Sequence, residues 1–186
     1  MVRLDRIYTR GGDGGETSLG DGSRVPKDDV RIVAIGAIEE ANAAIGAARL
    51  HTGAAPDADA MLERMQQDLF DVGADLCVPD PSGDCLRIAP AQVKRLENEI
   101  DAMNAGLKPL TSFVLPGGTP AAAQLHMART ILRRAEQAVV ALNLRDGLND
   151  ALLQYVNRAS DHLFVLCRVL NAGEGDVLWR PGANRS

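Results

Sequence analysis

"TPAAAQLHMARTILRRAEQAVVALN" (residues 119–143) and "NDALLQYVNRASDHLFVLCRVLNAG" (residues 149–173) decide the fold of this chain. In both stretches apolar residues recur at alternating spacings of three and four, which places them on one face of an α-helix. These two faces, here called the seams, consist of Leu125, Ala128, Leu132, Ala135, Val139 and Leu142 in the first stretch and Leu152, Val156, Ala159, Leu163, Leu166 and Leu170 in the second. Thr119 and Pro120 supply an N-cap and a first-turn proline. The pattern predicts two long helices in a bundle, the first reaching about Asn143.

Three further helices are predicted upstream, over residues 30–51, 56–78 and 90–106. Aromatic residues make up only 3% of the chain, a composition that favours closely packed helices, and we predict no strand. The expected fold is all-α, a five-helix bundle in one domain, with a glycine-rich N-terminal segment (residues 1–29) and a helical bundle (residues 30–186). The connections 79–89 and 107–118 are long for bundle turns, and loops of that length are often functional.

Charge and cysteine content exclude several classes of function. The net charge of −5 argues against a general nucleic-acid binder, which needs a basic surface. Three cysteines without C-x-x-C spacing and three scattered histidines indicate neither a disulfide framework nor a zinc or di-iron site. The N-terminus has no apolar signal region, and no apolar run reaches the ~18 residues of a membrane span. We therefore expect a cytoplasmic protein without membrane contact.

Polar side chains flank both seams. Arg129, Arg133 and Glu136 share an arc of roughly 60° beside the first seam, whereas Arg134 points about 100° away from Arg133. The stripe beside the second seam consists of Asn157, Ser160 and Phe164. One interpretation is structural. The first helix would then carry a solvated face with i, i+3 arginine–glutamate pairs, and Asn157 and Ser160 would be core residues whose hydrogen bonds are made within the protein. The other is a ligand site, because polar groups this close to a core need partners.

The opening stretch "YTRGGDGGETSLGDGS" (residues 8–23) contains six glycines, four hydroxyl side chains from threonine and serine, and three acids. Such a composition is typical of a flexible tail, and equally of a loop whose backbone N–H groups bind phosphate. The chain has no G-x-x-x-x-G-K-[ST] motif, so Lys27 is not a P-loop lysine. The stretch alone leaves the tail and the phosphate cradle open.

Five stretches in order along the chain carry a family resemblance: "YTRGGDGGETSLGDGSRVPKDD" (8–29), "FVLPGG" (113–118), "HMARTILRRAEQ" (126–137), "VNRASDHLF" (156–164) and "DVLWRPG" (176–182). Together they resemble the PduO-type cob(I)alamin adenosyltransferases. They are similar to that family's nucleotide-wrapping motif, corrinoid-side loop, two signature helices and C-terminal ending. The resemblance implies a ferritin-like five-helix bundle that forms a homotrimer with active sites between subunits.

The activity that the resemblance implies is transfer of the 5′-deoxyadenosyl group of ATP to the cobalt of cob(I)alamin, which yields adenosylcobalamin and triphosphate. Mg²⁺ would assist, with Glu136 near the metal, and Arg129, Arg133 and Phe113 would carry the catalysis. The residues that would bind ATP are Thr9, Arg10, Gly11, Gly12, Thr17, Ser18, Lys27, Arg133, Arg134, Ala135, Glu136, Gln137 and Asn157. A reductase and an adenosylcobalamin-dependent acceptor enzyme are the further partners implied.

Phe113 and Ser160 would contact cobalamin. In the family, an apolar wall keeps the lower axial ligand off cobalt and so makes cob(I)alamin accessible, and an aromatic residue before "VLPGG" suits that wall. The alternative for Phe113 is a loop anchor packed on the core.

Two positions depart from the family pattern. Gly11 stands where threonine or asparagine is usual, so one side-chain contact to phosphate is absent. Glu39, in "IEEAN", stands where the family's "VDELN" has an aspartate that pairs with a signature-helix arginine across the interface.

Two other classes of function compete with the enzyme. One is a non-catalytic corrinoid carrier that delivers adenosylcobalamin, which would have no use for the phosphate-binding residues. The other is a structural helical bundle with a disordered tail.

Overall fold

The computed structural model of the chain describes residues 7–79 and 85–185. Within these ranges the chain forms five helices and two short strands. The helices are α1 (Val30–Arg49), α2 (Pro56–Cys77), α3 (Pro90–Asn104), α4 (Pro120–Asp146) and α5 (Asp150–Leu170), and the strands are β1 (Glu16–Ser18) and β2 (Arg24–Pro26). The predicted five-helix bundle is confirmed. The N-terminal segment predicted over 1–29 and the loop predicted over 79–89 lie partly outside the described residues.

Side-chain caps determine where three of the helices begin. Asp29 accepts a hydrogen bond from the Arg31 N–H at 2.7 Å, and Asn149 accepts one from the Ala151 N–H at 3.1 Å. Thr119 caps α4 as its sequence position predicts. Helix α4 continues three residues beyond the predicted Asn143, because the chain first leaves helical geometry at Gly147, where φ is +69°. Glycine adopts this left-handed conformation without steric cost.

The two seams form the centre of the core. All six seam residues of α4 are buried, as are the first five of α5, and Leu170 is half-buried. Helix α4 packs against α1 and α5, while α2 packs on α1 and α3 packs on α5. The buried Arg31 at the start of α1 donates to Asp146 at the end of α4 over 2.6 Å, so these two helices run antiparallel.

A buried polar cluster fixes α2, α3 and α5 relative to one another. The Asp68 carboxylate on α2 accepts hydrogen bonds from Tyr155 Oη on α5 at 2.8 Å and from Gln92 Nε2 on α3 at 2.9 Å, and it pairs with Arg95. Burial, together with the charge of Asp68, raises the pKa of Tyr155 far above its usual value. A buried carboxylate needs such partners, so these three helices pack in one register.

The sequence predicted no strand, and this prediction is wrong for the glycine-rich segment. Strands β1 and β2 form an antiparallel ribbon in which Thr17 lies opposite Val25. Leu19 is buried at its turn, and the Gly20 N–H donates to the Cys77 carbonyl at the end of α2 over 2.9 Å. Three-residue strands flanked by glycines show too little alternation to be recognised in a sequence. The segment is therefore a folded ribbon anchored to the bundle and not a loose tail.

No helix among residues 7–79 and 85–185 combines the length and the apolar character that a membrane crossing requires.

Candidate active site

Helices α4 and α5 present a polar pair at the surface groove between them. Asn157 Nδ2 on α5 donates to Glu136 Oε1 on α4 over 2.8 Å. Arg158 in turn donates to Asn157 Oδ1, which orients the amide. These three residues line a cavity of about 320 Å³. The stripes predicted beside the two seams therefore meet, and a carboxylate with an oriented amide faces one groove.

The arginines of α4 do not form the i, i+3 pairs with glutamate that a solvated face would show. Arg133 is exposed and makes no hydrogen bond, ion pair or ring contact with any residue in the described parts of the chain. Arg134 instead pairs with Glu40 on α1. Helical geometry separates the two neighbouring side chains as predicted, so Arg133 remains an unpaired cation on the same face as Glu136.

Arg129 borders a second cavity, of about 650 Å³, formed at the N-terminal half of α4. Its guanidinium lies 5.8 Å from the centre of the Phe164 ring, and its buried Nε has no hydrogen-bond partner within the described residues. A guanidinium over an aromatic face is held by cation–π attraction. Arg129 therefore belongs to this cavity, about one turn of helix from Arg133.

Phe113 lies on the rim of the same cavity. Its side chain is 77% exposed, which contradicts the alternative of a loop anchor packed on the core. The ring centre lies 6.0 Å from that of Trp179, a distance typical of aromatic pairs. Phe113, Trp179 and Phe164 together make an apolar wall around the cavity.

Trp179 is the functional candidate to which the sequence assigned no role. Its backbone N–H donates to the Phe113 carbonyl over 2.8 Å, and the backbone N–H of Leu115 donates to the Val177 carbonyl over 2.8 Å. Ser112 Oγ also donates to the Trp179 carbonyl, over 2.7 Å. The C-terminal stretch thus pairs with the Phe113 loop. Its "DVLWRPG" motif was the only signal that it contributes to the site.

His126 makes the surroundings of Arg129 more apolar. The imidazole is buried, its ring lies edge-on to Phe164 at 6.5 Å, and neither ring nitrogen has a hydrogen-bond partner in the described residues. Burial, followed by repulsion from Arg129, lowers the pKa of His126. The histidine is therefore neutral at pH 7 and adds no second cation.

The remaining candidates on α4 and α5 divide between surface and core. Gln137 is exposed beside Glu136. Ser160 is buried, and its hydroxyl donates to the Asn157 carbonyl within its own helix. Ala135 is fully buried in the seam, so its side chain faces the core and cannot reach a ligand at the surface.

The glycine-rich segment forms a small cradle before the ribbon. Lys27 Nζ lies over Gly12, where a Cβ atom would approach it to 3.1 Å. Arg10 has a left-handed φ of +61°, a conformation that non-glycine residues rarely adopt. The N–H groups of Gly12 and Gly14 have no acceptor within the described residues. Free backbone N–H groups and an ammonium group are both hydrogen-bond donors, so together they suit an anionic ligand.

The structure places Thr9 next to this cradle and places Thr17 and Ser18 on the strand that follows it. The Gly11 N–H donates to Thr9 Oγ1 at 3.5 Å, and Thr17 and Ser18 lie on β1. A Cβ atom at Gly11 would lie 3.6 Å from Thr9 Oγ1, which is ordinary van der Waals contact. The threonine or asparagine usual at this position would thus fit, and its absence is not required by packing.

No hydrogen bond or ion pair among the described residues joins the cradle to the α4–α5 groove within one chain. The described contacts of the segment are to Cys77 at the end of α2 and, through Asp29, to Arg145 near the end of α4. Arg145 is twelve residues beyond Arg133, or about 18 Å along a helix axis. The predicted site residues therefore lie in two groups, and no contact between these groups occurs in the described parts of the chain.

Among the described residues that line the groove, Glu136 carries the one carboxylate that could hold a metal. The described residues contain no group of three or more histidine, cysteine, aspartate or glutamate side chains placed to hold a metal. A single carboxylate suits Mg²⁺ that is bound mainly through the phosphates of a nucleotide. The donor set therefore fits Mg·nucleotide and not a resident metal.

The comparisons with known proteins identify the class. The profile of the cobalamin adenosyltransferase family matches residues 7–170. The chain belongs to this family, which confirms the membership predicted from the sequence motifs. The corrinoid adenosyltransferase of Mycobacterium tuberculosis (strain H37Rv) is 50% identical over 190 residues, covering 100% of this chain and 98% of that protein. The cobalamin adenosyltransferase of Cupriavidus metallidurans is 49% identical over 180 residues, covering 96% of each.

Solved structures give the same class. A phenylalanine-to-histidine variant of the PduO-type ATP:corrinoid adenosyltransferase from Lactobacillus reuteri, complexed with cobalamin and ATP, superposes with a TM-score of 0.89. The two chains are 35% identical, and the match covers 95% of this chain and 97% of that one. An arginine-to-lysine variant of that enzyme, complexed with ATP, superposes with a TM-score of 0.84 at 36% identity, over 94% of this chain and all of that chain.

Proposed function

We propose that this chain transfers the 5′-deoxyadenosyl group of ATP to the cobalt of cob(I)alamin. The product is adenosylcobalamin, and triphosphate is released. The observation that carries the proposal is the single face of α4, on which the unpaired Arg133 lies between the apolar cavity at Arg129 and the Glu136–Asn157 groove. An apolar cavity suits the corrinoid, and the unpaired Arg133 beside the groove suits the phosphates.

The reaction requires no general base on the protein. The electron pair of Co(I) attacks C5′ of ATP and forms the Co–C bond, while the C5′–O bond breaks and its electrons leave with the triphosphate. The enzyme must hold the two reactants in line and stabilise the charge that develops on the leaving oxygen. Arg133 is free to do this, because no acidic side chain among the described residues neutralises it. Its planar fork suits phosphate oxygens.

Glu136, Asn157 and Lys27 complete the nucleotide site in this proposal. Mg²⁺ bound with the nucleotide would neutralise phosphate charge, and the Glu136 carboxylate would hold it. Asn157, oriented by its hydrogen bond to Glu136, would donate to the nucleotide after a small rotation. Lys27 and the free N–H groups of Gly12 and Gly14 would bind phosphate oxygens from the cradle.

Phe113 acts on the cobalt side. Its exposed ring, with Trp179 and Phe164, presents an apolar surface where the lower axial ligand of cobalamin would otherwise lie. Removal of that ligand makes reduction to cob(I)alamin accessible. The same wall keeps water from the reactive cobalt.

The complete site is assembled between subunits of a homotrimer. The lack of a described contact between the cradle and the groove within one chain supports this, since the nucleotide would contact both. In the assembly Glu39, which is exposed on α1, would meet a signature-helix arginine of the neighbouring subunit. Cyclic symmetry would then form three identical sites from heterologous contacts.

The decisive experiment follows adenosylcobalamin formation from ATP and chemically reduced cobalamin, read from the absorbance change. Formation of the product with release of triphosphate is expected. A protein that binds adenosylcobalamin but does not form it would be a carrier, the second class of function considered. The cytoplasmic location, a reductase partner and an adenosylcobalamin-dependent acceptor enzyme stay predictions from the sequence.

A further inference from the structure

The last turn of α5 and its C-cap residue carry two buried polar side chains that the reaction does not use. Arg168 and Asn171 are 7% and 3% exposed, and they lie three residues apart on one face of the helix. A buried guanidinium costs free energy unless every donor finds a partner in good geometry. The partners of these two residues therefore show what this end of α5 holds in place.

Arg168 ties two segments of the chain together. Its Nε donates to Asp176 Oδ2 over 2.8 Å, and its Nη2 donates to the Lys108 carbonyl over 2.7 Å. Lys108 lies at the start of the loop that carries Phe113, and Asp176 lies at the start of the stretch that carries Trp179. One guanidinium thus connects the two segments whose pairing forms the apolar wall.

Asn171 holds the far end of the same loop. Its Nδ2 donates to the Gly117 carbonyl over 3.1 Å, and its Oδ1 accepts from the Thr119 N–H over 3.0 Å. Gly118 has a φ of +97°, and a Cβ atom there would lie 2.2 Å from the Asn171 side chain. The loop is consequently fixed at both ends by one helical turn.

We propose that Arg168 is a positioning residue for the cobalt-side wall, an inference that rests on the role proposed for Phe113. The Phe113 ring is too exposed to be fixed by its own packing. Its position is set by the backbone bonds to Trp179, and these require the two segments to lie side by side. When the Arg168 connection is lost, fewer molecules hold the wall in place, and the apparent affinity for cobalamin falls by the same fraction.

The test compares Arg168→Met, Arg168→Lys and Phe113→Ala with the wild type. The quantities measured are the KM for cobalamin, the KM for ATP, and the absorbance of four-coordinate cob(II)alamin with ATP bound. Arg49→Met is the matched control, because Arg49 forms a comparable pair with Asp59 that contacts neither segment of the wall. Asp176→Asn is a milder second variant in case Arg168→Met does not fold.

For Arg168→Met we expect the KM for cobalamin to rise about tenfold and the four-coordinate signal to fall, with the KM for ATP unchanged. Arg168→Lys should lie between the wild type and Arg168→Met, since one ammonium group cannot reproduce a fork that serves two acceptors. Arg49→Met should change neither cobalamin readout.

Three results would overturn the inference. In the first, Arg168→Met and Asp176→Asn keep the wild-type cobalamin KM and spectrum while Phe113→Ala loses the signal. In the second, both KM values change together and Arg49→Met has the same effect, which would make Arg168 a general stabiliser. In the third, Phe113→Ala itself keeps the four-coordinate signal, which would refute the wall and this inference with it but leave the adenosyl transfer intact.

Discussion

Arg133 and Arg134 are adjacent in sequence, yet the helix directs them into different surroundings. Arg134 is neutralised by Glu40 of the same chain, whereas Arg133 has no counter-ion in the described residues. An exposed, unpaired cation next to an oriented amide and a carboxylate is an arrangement made for an anionic ligand. At the residue scale, the absence of a counter-ion favours Arg133 over Arg134 as the proposed phosphate contact.

The first prediction concerns this groove. Arg133→Ala and Asn157→Ala should each lose about tenfold or more in rate, because a charge-assisted contact to the leaving triphosphate is worth ~1.5–3 kcal/mol. The fold should survive, since Arg133 is exposed and Asn157 is outside the seam. Steady-state kinetics with ATP, beside a circular dichroism melt, checks both statements. Arg64→Ala, which breaks an ion pair between α2 and α3 away from the groove, is the control. Wild-type rates at saturating ATP in folded Arg133→Ala would refute the assignment.

The second prediction separates the cobalt side from the nucleotide side. Phe113→Ala should leave ATP binding unchanged and lower the fraction of four-coordinate cob(II)alamin, because the axial ligand can return to cobalt. Activity with enzymatically reduced cobalamin should fall further than activity with chemically reduced cobalamin, since reduction is the step affected.

Phe70→Ala is the matched control for that experiment, because Phe70 on α2 is 70% exposed and Phe113 is 77% exposed. Neither change should lower the melting temperature much, in contrast to the ~3–5 kcal/mol cost of truncating a buried phenylalanine. A large loss of stability in Phe113→Ala with an unchanged cob(II)alamin spectrum would make the ring a packing residue.

At the scale of elements, the helices could be predicted and the ribbon could not. The apolar spacing of the seams of α4 and α5 repeats over six positions in each helix. This repetition identifies a helix even where single residues break the pattern. The position of the ribbon depends instead on tertiary contacts, such as the hydrogen bond between Gly20 and the end of α2, which the sequence does not display. The role of Trp179 was missed for the same reason, because its pairing with the Phe113 loop joins residues far apart in the chain.

The third prediction tests how the ribbon is anchored. A Cβ atom at Gly20 would lie 2.8 Å from Val78 Cγ2, so Gly20→Ala should displace the ribbon from α2. Overpacking of this kind costs ~1–3 kcal/mol, and the displaced cradle should raise the KM for ATP while leaving the cobalamin spectrum alone. Gly73→Ala is the control, since a Cβ atom there meets nothing within 4 Å. An unchanged KM for ATP in Gly20→Ala would mean that the ribbon's position does not matter to the nucleotide.

The fourth prediction concerns the connection between α1 and α2. Hydrogen bonds from Arg49, and then from Thr52, lower the pKa of Asp59 from 3.8 to about 2. Since the folded-state pKa is depressed, Asp59 stabilises the fold above its ordinary pKa, and this contribution disappears as the pH falls from about 4 towards 2. Asp59→Asn should therefore lower the free energy of unfolding at pH 7, and the difference from the wild type should shrink below about pH 4. Urea unfolding at pH values from 7 to 3 measures this; a difference that stays constant to pH 3 would contradict it.

At the scale of the whole molecule, the two groups of candidate residues belong to different parts of one chain. The glycine-rich cradle is fixed to the end of α2, and Asp29, which follows the ribbon, pairs with Arg145, about 18 Å along the axis of α4 from Arg133. Helical periodicity could predict which residues share a face of α4. It could not predict that the cradle lies beside another part of the bundle, because that depends on how whole elements pack.

The final prediction tests whether the halves belong to different subunits. Lys27→Ala damages only the cradle, and Arg133→Ala damages only the groove, so each variant alone should be nearly inactive. When the two are co-expressed in equal amounts, random assembly joins an intact cradle to an intact groove in about a quarter of the sites of a cyclic trimer. Activity should recover to about a quarter of the wild-type value per site. A site contained within one chain would recover nothing, because every chain carries one damaged half.

Co-expression of Arg133→Ala with Asn157→Ala is the control: both changes affect the groove, so no mixture contains an intact groove and no activity should return. Mass measurement in solution should give three times the 19.8 kDa of one chain for wild type and mixtures alike.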